Sequence, residues 1–129
     1  MAKIKIAVAG CLGRMGQELS KQIINNNKLE FVGGFEHKKH KDINKQFKNV
    51  SDINSIKIIE NNPTNSIKAA NVIIDFTTPQ STLENVKIAS QNKTAVIIGT
   101  TGMTESQKKK VKSYAKKIPI LMSSNMSIG

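Results

Sequence analysis

The amino-acid sequence is poor in residues on which several classes of protein depend. Its 129 residues include one cysteine, one tyrosine and no tryptophan. One cysteine cannot form an internal disulfide, which predicts a protein of the reducing cytoplasm. No N-terminal signal pattern is present, and no apolar run approaches the ~18 residues that a membrane span needs, so we expect no membrane partner. A chain of this length predicts one domain, residues 1–129.

Arginine is also scarce, although the chain is strongly basic. The net charge of +11 comes from 20 basic and 9 acidic residues, and Arg14 is the only arginine. Proteins that bind nucleic acid favour arginine for phosphate and base contacts, and aromatic rings for stacking. We therefore expect no nucleic-acid partner, and we interpret the lysines as a solvated surface. The single arginine is the informative basic residue because it lies inside a glycine-rich turn.

Three glycines follow the first apolar segment at a spacing of three. The apolar run Ile4–Ala9 ends at Gly10, and Gly13 and Gly16 precede a periodic apolar segment. This order predicts a strand, a tight turn and a helix. Gly10 would allow the turn, Gly13 would let the backbone approach a pyrophosphate, and Gly16 would let the helix pack closely on the strand. The N–H groups at the helix N-terminus would face the anion. Alternatively, the glycines only join strand to helix, since this spacing is less common than G-x-G-x-x-G.

Apolar runs alternate with helical patterns along the rest of the chain. We expect strands at Lys3–Ala9, Leu29–Phe35, Ile56–Ile59, Asn71–Phe76, Thr94–Ile98 and Ile118–Met122. We expect helices at Gly13–Asn26, Pro63–Ala70 and Pro79–Gln91, and one that opens with a capping box at Thr104–Gln107. Residues 41–55 give no clear pattern. The alternation predicts an α/β fold with a doubly wound, mostly parallel Rossmann-type sheet of about six strands in the order 3-2-1-4-5-6.

Two further patterns in the first helical unit predict burial. The first strand is apolar enough to be buried on both faces. Met15, Leu19 and Ile23 recur every four residues and predict one apolar stripe on the first helix. Cys11, in the glycine turn, has no second cysteine to resolve a redox reaction, so we interpret it as a small apolar filler.

Charged residues follow the second predicted strand. Glu36 lies twenty positions beyond Gly16, where a carboxylate would accept hydrogen bonds from a ribose hydroxyl pair; alternatively, it is an ordinary charged strand end. His37, Lys38 and Lys39 come directly after it. They form either a solvated loop or a cationic pocket for the 2′-phosphate of NADP, so NADH and NADPH both remain candidate cofactors.

Four motifs together resemble a known family. They are Val8-Ala9-Gly10 with Gly13-Arg14-Met15-Gly16, then Ile74-Asp75-Phe76-Thr77-Thr78-Pro79, then Ile98-Gly99-Thr100-Thr101-Gly102, then Ser124-Asn125-Met126-Ser127-Ile128-Gly129. In this order and spacing the chain is similar to the dihydrodipicolinate reductases, now called 4-hydroxy-tetrahydrodipicolinate reductases. The resemblance implies the reduction of a cyclic dicarboxylate by NADH or NADPH on the diaminopimelate route to lysine.

The resemblance also implies roles for individual residues. The pyrophosphate would be held by Gly10, Cys11, Leu12, Gly13, Arg14 and Met15. Glu36 would bind the adenosine ribose, and Arg14 would also be available to a 2′-phosphate. The remaining implied cofactor contacts, most of them beside the nicotinamide, are Phe76, Thr77, Gly99, Thr100, Thr101, Ser123, Ser124, Asn125 and Met126. Met126 stands where many members of the family have phenylalanine.

The resemblance implies a second domain in the family that the 129 residues do not match. Family members continue into a substrate domain whose His-His…Lys stretch holds the substrate and supplies the proton, and through which they form tetramers. The histidines of this chain, His37 and His40, lie near the adenosine end. We therefore expect no catalytic and no metal-binding residue here, and a chain that binds cofactor without turnover. The alternatives are a stand-alone NAD(P)-sensing module, or the cofactor half of another two-domain dehydrogenase such as a homoserine dehydrogenase relative.

Overall fold

One parallel sheet organises the computed structural model, which describes residues 2–37 and 39–122. In this part of the chain the sheet has six strands in the order β3-β2-β1-β4-β5-β6, and every neighbouring pair is parallel. The strands are β1 (Ile4–Ala9), β2 (Leu29–Phe35), β3 (Ile59–Glu60), β4 (Val72–Asp75), β5 (Ala95–Ile98) and β6 (Ile120–Met122). The α/β class and the strand order predicted from the sequence are confirmed.

Helices connect the strands, and local capping signals determine where most of them begin. They are α1 (Arg14–Ile24), α2 (Phe47–Val50), α3 (Pro63–Ala69), α4 (Pro79–Gln91) and α5 (Glu105–Tyr114). The side chains of Asn62 and Thr78 accept hydrogen bonds from backbone N–H groups in the first turns of α3 and α4. The capping box predicted for Thr104–Gln107 is present. Among the described residues no helix combines the length and the apolar character of a membrane span.

The core consists of two apolar layers, one on each face of the sheet. Ala7 and Ala9 of β1 face the layer that includes Ile67 of α3 and Val86 of α4, whereas neighbouring β1 residues face the layer that includes Ile23 of α1. The last four residues of β1 are buried, as a central strand covered on both faces requires. Ile4, at the start of the strand, is 49% exposed.

The third strand differs from the expectation in position. It covers Ile59–Glu60 instead of Ile56–Ile59, and Ile56 and Ile58 are exposed. The reason lies in the segment for which the sequence predicts no structure. The N–H of Phe47 donates to the Lys57 carbonyl, so the backbone that leads into β3 bonds with the loop before it instead of with β2. Phe47 is buried edge-on against Phe31, which anchors this loop in the core.

The apolar stripe expected on α1 is wrong at its first position. Met15 is 44% exposed, whereas Ile23 is buried as expected. The residues of α1 that face the sheet are Gly16, Ser20 and Ile23. Ser20 satisfies its hydroxyl by donating to the Gly16 carbonyl at 2.7 Å. Small residues near the start of the helix bring α1 close to the sheet and turn Met15 outward.

Candidate functional site

In the described part of the chain, no side chain caps the N-terminus of α1 after the turn from β1. Gly10 has a φ of +76°, and its N–H donates to the Phe35 carbonyl at 3.0 Å. Gly13 is the N-cap residue, and no described side chain accepts a hydrogen bond from the first turn, which also holds no acidic residue. The first N–H groups of a helix have no partner within the helix and carry its positive dipole end. This terminus is therefore suited to an anion.

The glycines of this turn have different neighbours. A Cβ on Gly16 would collide with the Gly10 carbonyl oxygen and with the Cys11 backbone. A Cβ on Gly13 would meet only the Gly10 carbonyl oxygen, at 3.5 Å, which is ordinary contact. Gly16 thus permits the close packing of α1, whereas the missing side chain of Gly13 leaves space in front of the helix.

Cys11 belongs to the core and not to the surface of the turn. Its side chain is fully buried against β2, where a Cβ on Gly34 would lie 2.8 Å from the Cys11 Cβ. Burial, with a smaller contribution from the nearby Glu36 carboxylate, raises the pKa of the Cys11 thiol well above its usual range. The thiol therefore stays protonated, and the interpretation of Cys11 as an apolar filler is confirmed.

Two cavities lie at the carboxyl ends of the strands, one on each side of this turn. The larger has a volume of about 640 Å³ and the smaller about 450 Å³. Both are lined by Gly10, Gly13, Phe76 and Thr77, so they meet at the helix N-terminus. In a doubly wound sheet this edge is where ligands bind.

Glu36 faces the larger cavity and is held by the glycine turn. Its Oε2 accepts a hydrogen bond from the Leu12 N–H at 2.7 Å, and its Oε1 accepts one from the His37 N–H at 3.3 Å. The side chain is only partly buried, so the carboxylate has acceptor capacity left for a ligand. The Leu12 N–H already donates within the protein, as does the Cys11 N–H, which donates to the Phe35 carbonyl at 3.3 Å.

Phe76 separates the two cavities. Its ring lies directly over Gly99, where a Cβ would overlap the ring atoms. Its carbonyl oxygen would lie 3.0 Å from a Cβ on Gly10. The bare backbones of Gly10 and Gly99 therefore place the aromatic ring between the first glycine turn and the turn after β5.

A buried carboxylate at the end of β4 is bonded to the turn after β5 and to the middle of α4. Asp75 is fully buried; its Oδ1 accepts hydrogen bonds from the Thr77 N–H at 2.8 Å, the Thr77 hydroxyl at 2.6 Å and the Thr100 hydroxyl at 3.4 Å. Its Oδ2 accepts one from the Asn85 Nδ2 at 3.1 Å. Thr82 and Thr100 share a hydrogen bond of 2.8 Å. Sequence analysis missed Asp75 and Asn85 as site residues; the available signal was an acidic residue that ends an apolar strand directly before two hydroxyls.

The structure brings many of the site residues named by sequence analysis to these cavities. The smaller cavity is lined by Arg14, Met15, Gly99, Thr100 and Thr101, and the larger by Glu36 and His37. Cys11 and Leu12 line neither, so only their backbones belong to the turn. Lys38, Ser123, Ser124, Asn125 and Met126 lie outside the described residues. Within residues 2–37 and 39–122, no cluster of three or more His, Cys, Asp or Glu side chains could hold a metal ion.

The sequence matches one protein family over almost its whole length. The family model described as "Dihydrodipicolinate reductase, N-terminus" matches residues 4–126. The 4-hydroxy-tetrahydrodipicolinate reductase of Pelagibacter ubique is 40% identical over 129 residues, which are 100% of this chain and 46% of that protein. The reductase of Bdellovibrio bacteriovorus is 38% identical over 129 residues, again 100% of this chain and 47% of that protein. The chain thus spans about half the length of the curated relatives it matches.

Solved structures share the fold. A dipicolinate-bound dihydrodipicolinate reductase from Paenisporosarcina sp. TG-14 is similar with a TM-score of 0.72 and 28% identity, over 98% of this chain and 49% of that one. An aspartate semialdehyde dehydrogenase with NADP from Candida albicans also has a TM-score of 0.72, over 98% of this chain and 44% of that one. At 14% identity the second match shows the shared fold alone.

Proposed function

This chain belongs to the dihydrodipicolinate reductase N-terminus family, and on that basis we propose that it binds NADH or NADPH as the cofactor domain of a 4-hydroxy-tetrahydrodipicolinate reductase. The proposal treats residues 1–129 as a dinucleotide-binding domain. The reduction of a cyclic dicarboxylate is proposed for the whole protein, by similarity to relatives about twice as long. A homotetramer and a place in the cytoplasm remain predictions.

The observation that carries the proposal is the uncapped N-terminus of α1 at the meeting point of two cavities. A dinucleotide has an anionic centre and two bulky ends, and the site has the same arrangement. The backbone of Gly13 is open to the space in front of the helix, where a pyrophosphate would fit without displacing a side chain. Arg14, on the first turn of α1, adds a positive charge beside this anion.

The larger cavity suits the adenosine half of the cofactor. Glu36 presents its carboxylate to this cavity and would accept hydrogen bonds from the ribose hydroxyls. The Leu12 N–H fixes the direction of that carboxylate, so the ribose is read by a preorganised acceptor. His37 lies at the same edge and would be available to a 2′-phosphate.

The smaller cavity suits the nicotinamide half. The nicotinamide supplies the hydride when the cofactor is bound. The residues of this chain would position it: Thr100 and Thr101 offer hydroxyl groups, and the Phe76 ring closes the wall between the two halves. The proposed contacts from Ser123, Ser124, Asn125 and Met126 remain predictions.

Titration calorimetry of the 129-residue chain with NADPH, with NADH and with ADP-ribose tests the proposal. We expect one site per chain for each ligand, and we expect the two dinucleotides to bind more tightly than ADP-ribose because only they fill the smaller cavity. Nicotinamide mononucleotide, which lacks both the pyrophosphate and the adenosine, is the control for the contacts to those groups and should bind most weakly. Absence of binding for both dinucleotides at millimolar concentration would contradict the proposal.

A further inference from the structure

The amide of Asn85 joins the second oxygen of the buried Asp75 carboxylate to the larger cavity. Asn85 is 2% exposed and lines that cavity together with Glu36. Its Nδ2 donates to the Asp75 Oδ2 at 3.1 Å, whereas its Oδ1 accepts no hydrogen bond from a described residue. No buried side-chain nitrogen or oxygen of the described residues lacks a partner, so this Oδ1 keeps some accessible surface, and the larger cavity is one that Asn85 lines.

The orientation of this amide follows from the chemistry of its partner. A carboxylate accepts hydrogen bonds and donates none, so it can face only the NH₂ end of an asparagine side chain. Three donors already converge on the other oxygen of Asp75. The carboxylate is thus fixed by donors at one oxygen, and its other oxygen determines the orientation of the Asn85 amide. A ligand in the larger cavity would therefore meet the Asn85 Oδ1, which is a hydrogen-bond acceptor.

We propose that Asn85 reads a hydrogen-bond donor on the adenine of the cofactor, its 6-amino group, and that Asp75 is the positioning residue that turns the Asn85 oxygen toward it. This inference rests on the proposed function, which places the adenosine half in the larger cavity. Glu36 and Asn85 line the same cavity, so a nucleoside whose ribose is held by Glu36 extends its base toward Asn85. The exposed Glu84 and the half-buried Ser81 complete a polar edge beside it.

Replacing Asp75 by asparagine should reverse the amide. In Asp75→Asn the new side-chain carbonyl oxygen should take the place of Oδ1, because the three donors from Thr77 and Thr100 can bond only to an oxygen. The new NH₂ group then faces Asn85, which must rotate to present its own oxygen inward. The rotated Asn85 would then present its NH₂ group, a donor, to the cavity instead of its oxygen. In the double variant Asp75→Asn/Asn85→Asp the new carboxylate accepts from residue 75 and again presents an oxygen to the cavity.

The test compares NADPH with its 6-methoxypurine analogue, in which an ether oxygen that only accepts replaces the 6-amino donor and N1 carries no hydrogen. The parent should bind NADPH roughly fivefold more tightly than the analogue, Asp75→Asn should prefer the analogue, and the double variant should again prefer NADPH. Thr94→Val is the matched control. Thr94 is a buried residue at the amino-terminal end of β5, away from the cavities, and its hydroxyl donates to the Ile67 carbonyl at 2.9 Å. Loss of this hydroxyl should lower stability without changing the preference for NADPH over the analogue.

A second readout does not depend on the cofactor. The side-chain NH₂ signals of Asn85 in an NMR spectrum should shift in Asp75→Asn without ligand, as the group moves from a carboxylate to solvent. If Asp75→Asn does not fold, Asn85→Ala should bind both dinucleotides equally well. The same preference in parent, Asp75→Asn and double variant would overturn the inference. Failure of the parent to bind either dinucleotide would instead overturn the proposed function, and this inference with it.

Discussion

Two neighbouring turns of the molecule are built in opposite ways. β1 and β4 are adjacent, with Ala9 paired to Asp75, and each runs into a helix at the same edge of the sheet. The turn after β1 is made of glycines, and no described side chain caps its helix. In the turn after β4, the hydroxyl of Thr78 accepts a hydrogen bond from the Ser81 N–H at 3.3 Å, and Pro79 occupies the first helical position, where an N–H would otherwise need a partner.

The two turns therefore have different roles, one in binding and one in support. The first turn leaves helix N–H groups for an anion, whereas the second caps its helix with the Thr78 side chain and is tied to the buried Asp75 network. The turns also depend on each other, because the Phe76 N–H donates to the Ala9 carbonyl at 3.3 Å and the Phe76 carbonyl lies close to Gly10. The turn after β4 thus positions Phe76 against the glycine turn after β1.

The largest effect is expected from Gly16→Ala, which removes the close approach of α1 to the first turn. The new Cβ would collide with the backbone of Gly10 and Cys11, which cannot move without shifting β1. We expect a loss of about 3 kcal/mol or more in the free energy of unfolding, measured by urea denaturation. Gly102→Ala is the control, because its Cβ would meet nothing within 4 Å and only its φ of +80° is strained. Equal losses in the two variants would contradict the packing role of Gly16.

Gly13→Val should remove cofactor binding and leave the fold intact. The Cβ position at Gly13 has only one ordinary contact, so the isopropyl group enters the space where the two cavities meet. We expect at least a ~100-fold rise in the dissociation constant of NADPH, because the pyrophosphate can no longer reach the helix N-terminus and loses its charge-assisted hydrogen bonds there. Circular dichroism and the urea midpoint should match the parent. A folded variant that binds as well as the parent would show that the turn is only structural.

Glu36→Ala should weaken NADH binding more than NADPH binding. The carboxylate accepts from the ribose hydroxyls of NADH but repels the 2′-phosphate of NADPH, so its removal costs NADH about tenfold and NADPH less. We expect the parent to use both cofactors, with a preference that moves toward NADH as salt screens the basic residues. Both dissociation constants are measured at low and at physiological ionic strength.

The Glu36 comparison has its own control, because the same carboxylate accepts from the Leu12 N–H. Glu36→Gln keeps an acceptor for that N–H but loses the negative charge, so it separates support of the turn from recognition of the ribose. An equal loss for both cofactors in Glu36→Ala, or a strict preference of the parent at every salt concentration, would show that Glu36 does not read the ribose.

How much of this could be predicted from the sequence depends on the distance along the chain over which the cause acts. The caps at Asn62, Thr78 and Thr104 were predictable because each signal lies within three residues of its partner. The position of β3 was not predictable, since the Lys57 carbonyl accepts a hydrogen bond from the N–H of Phe47, ten residues earlier in the chain. Likewise, the contact between Asp75 and Asn85 requires α4 to fold back along its strand, and no pattern of adjacent residues announces it.

The smallest expected effect concerns the titratable group buried in the first turn. The raised pKa of the Cys11 thiol means that the folded protein keeps a proton that the unfolded chain loses above about pH 8.5. Because unfolding then releases a proton, the stability that the buried neutral thiol contributes is complete below that pH and declines as the pH rises through it.

At pH 9 this linkage should lower the free energy of unfolding by about 0.8 kcal/mol relative to neutral pH. The lysines also titrate in this range, so the informative quantity is the difference between parent and Cys11→Ala, in which their contributions cancel. The parent should lose stability more steeply than Cys11→Ala from pH 8 to pH 10, and its thiol should react with iodoacetamide only after unfolding. Parallel stability curves, or rapid alkylation of the folded parent, would show that the Cys11 thiol is in contact with solvent. The first turn would then lack a buried polar group comparable to the hydrogen-bonded Asp75 carboxylate at the second turn.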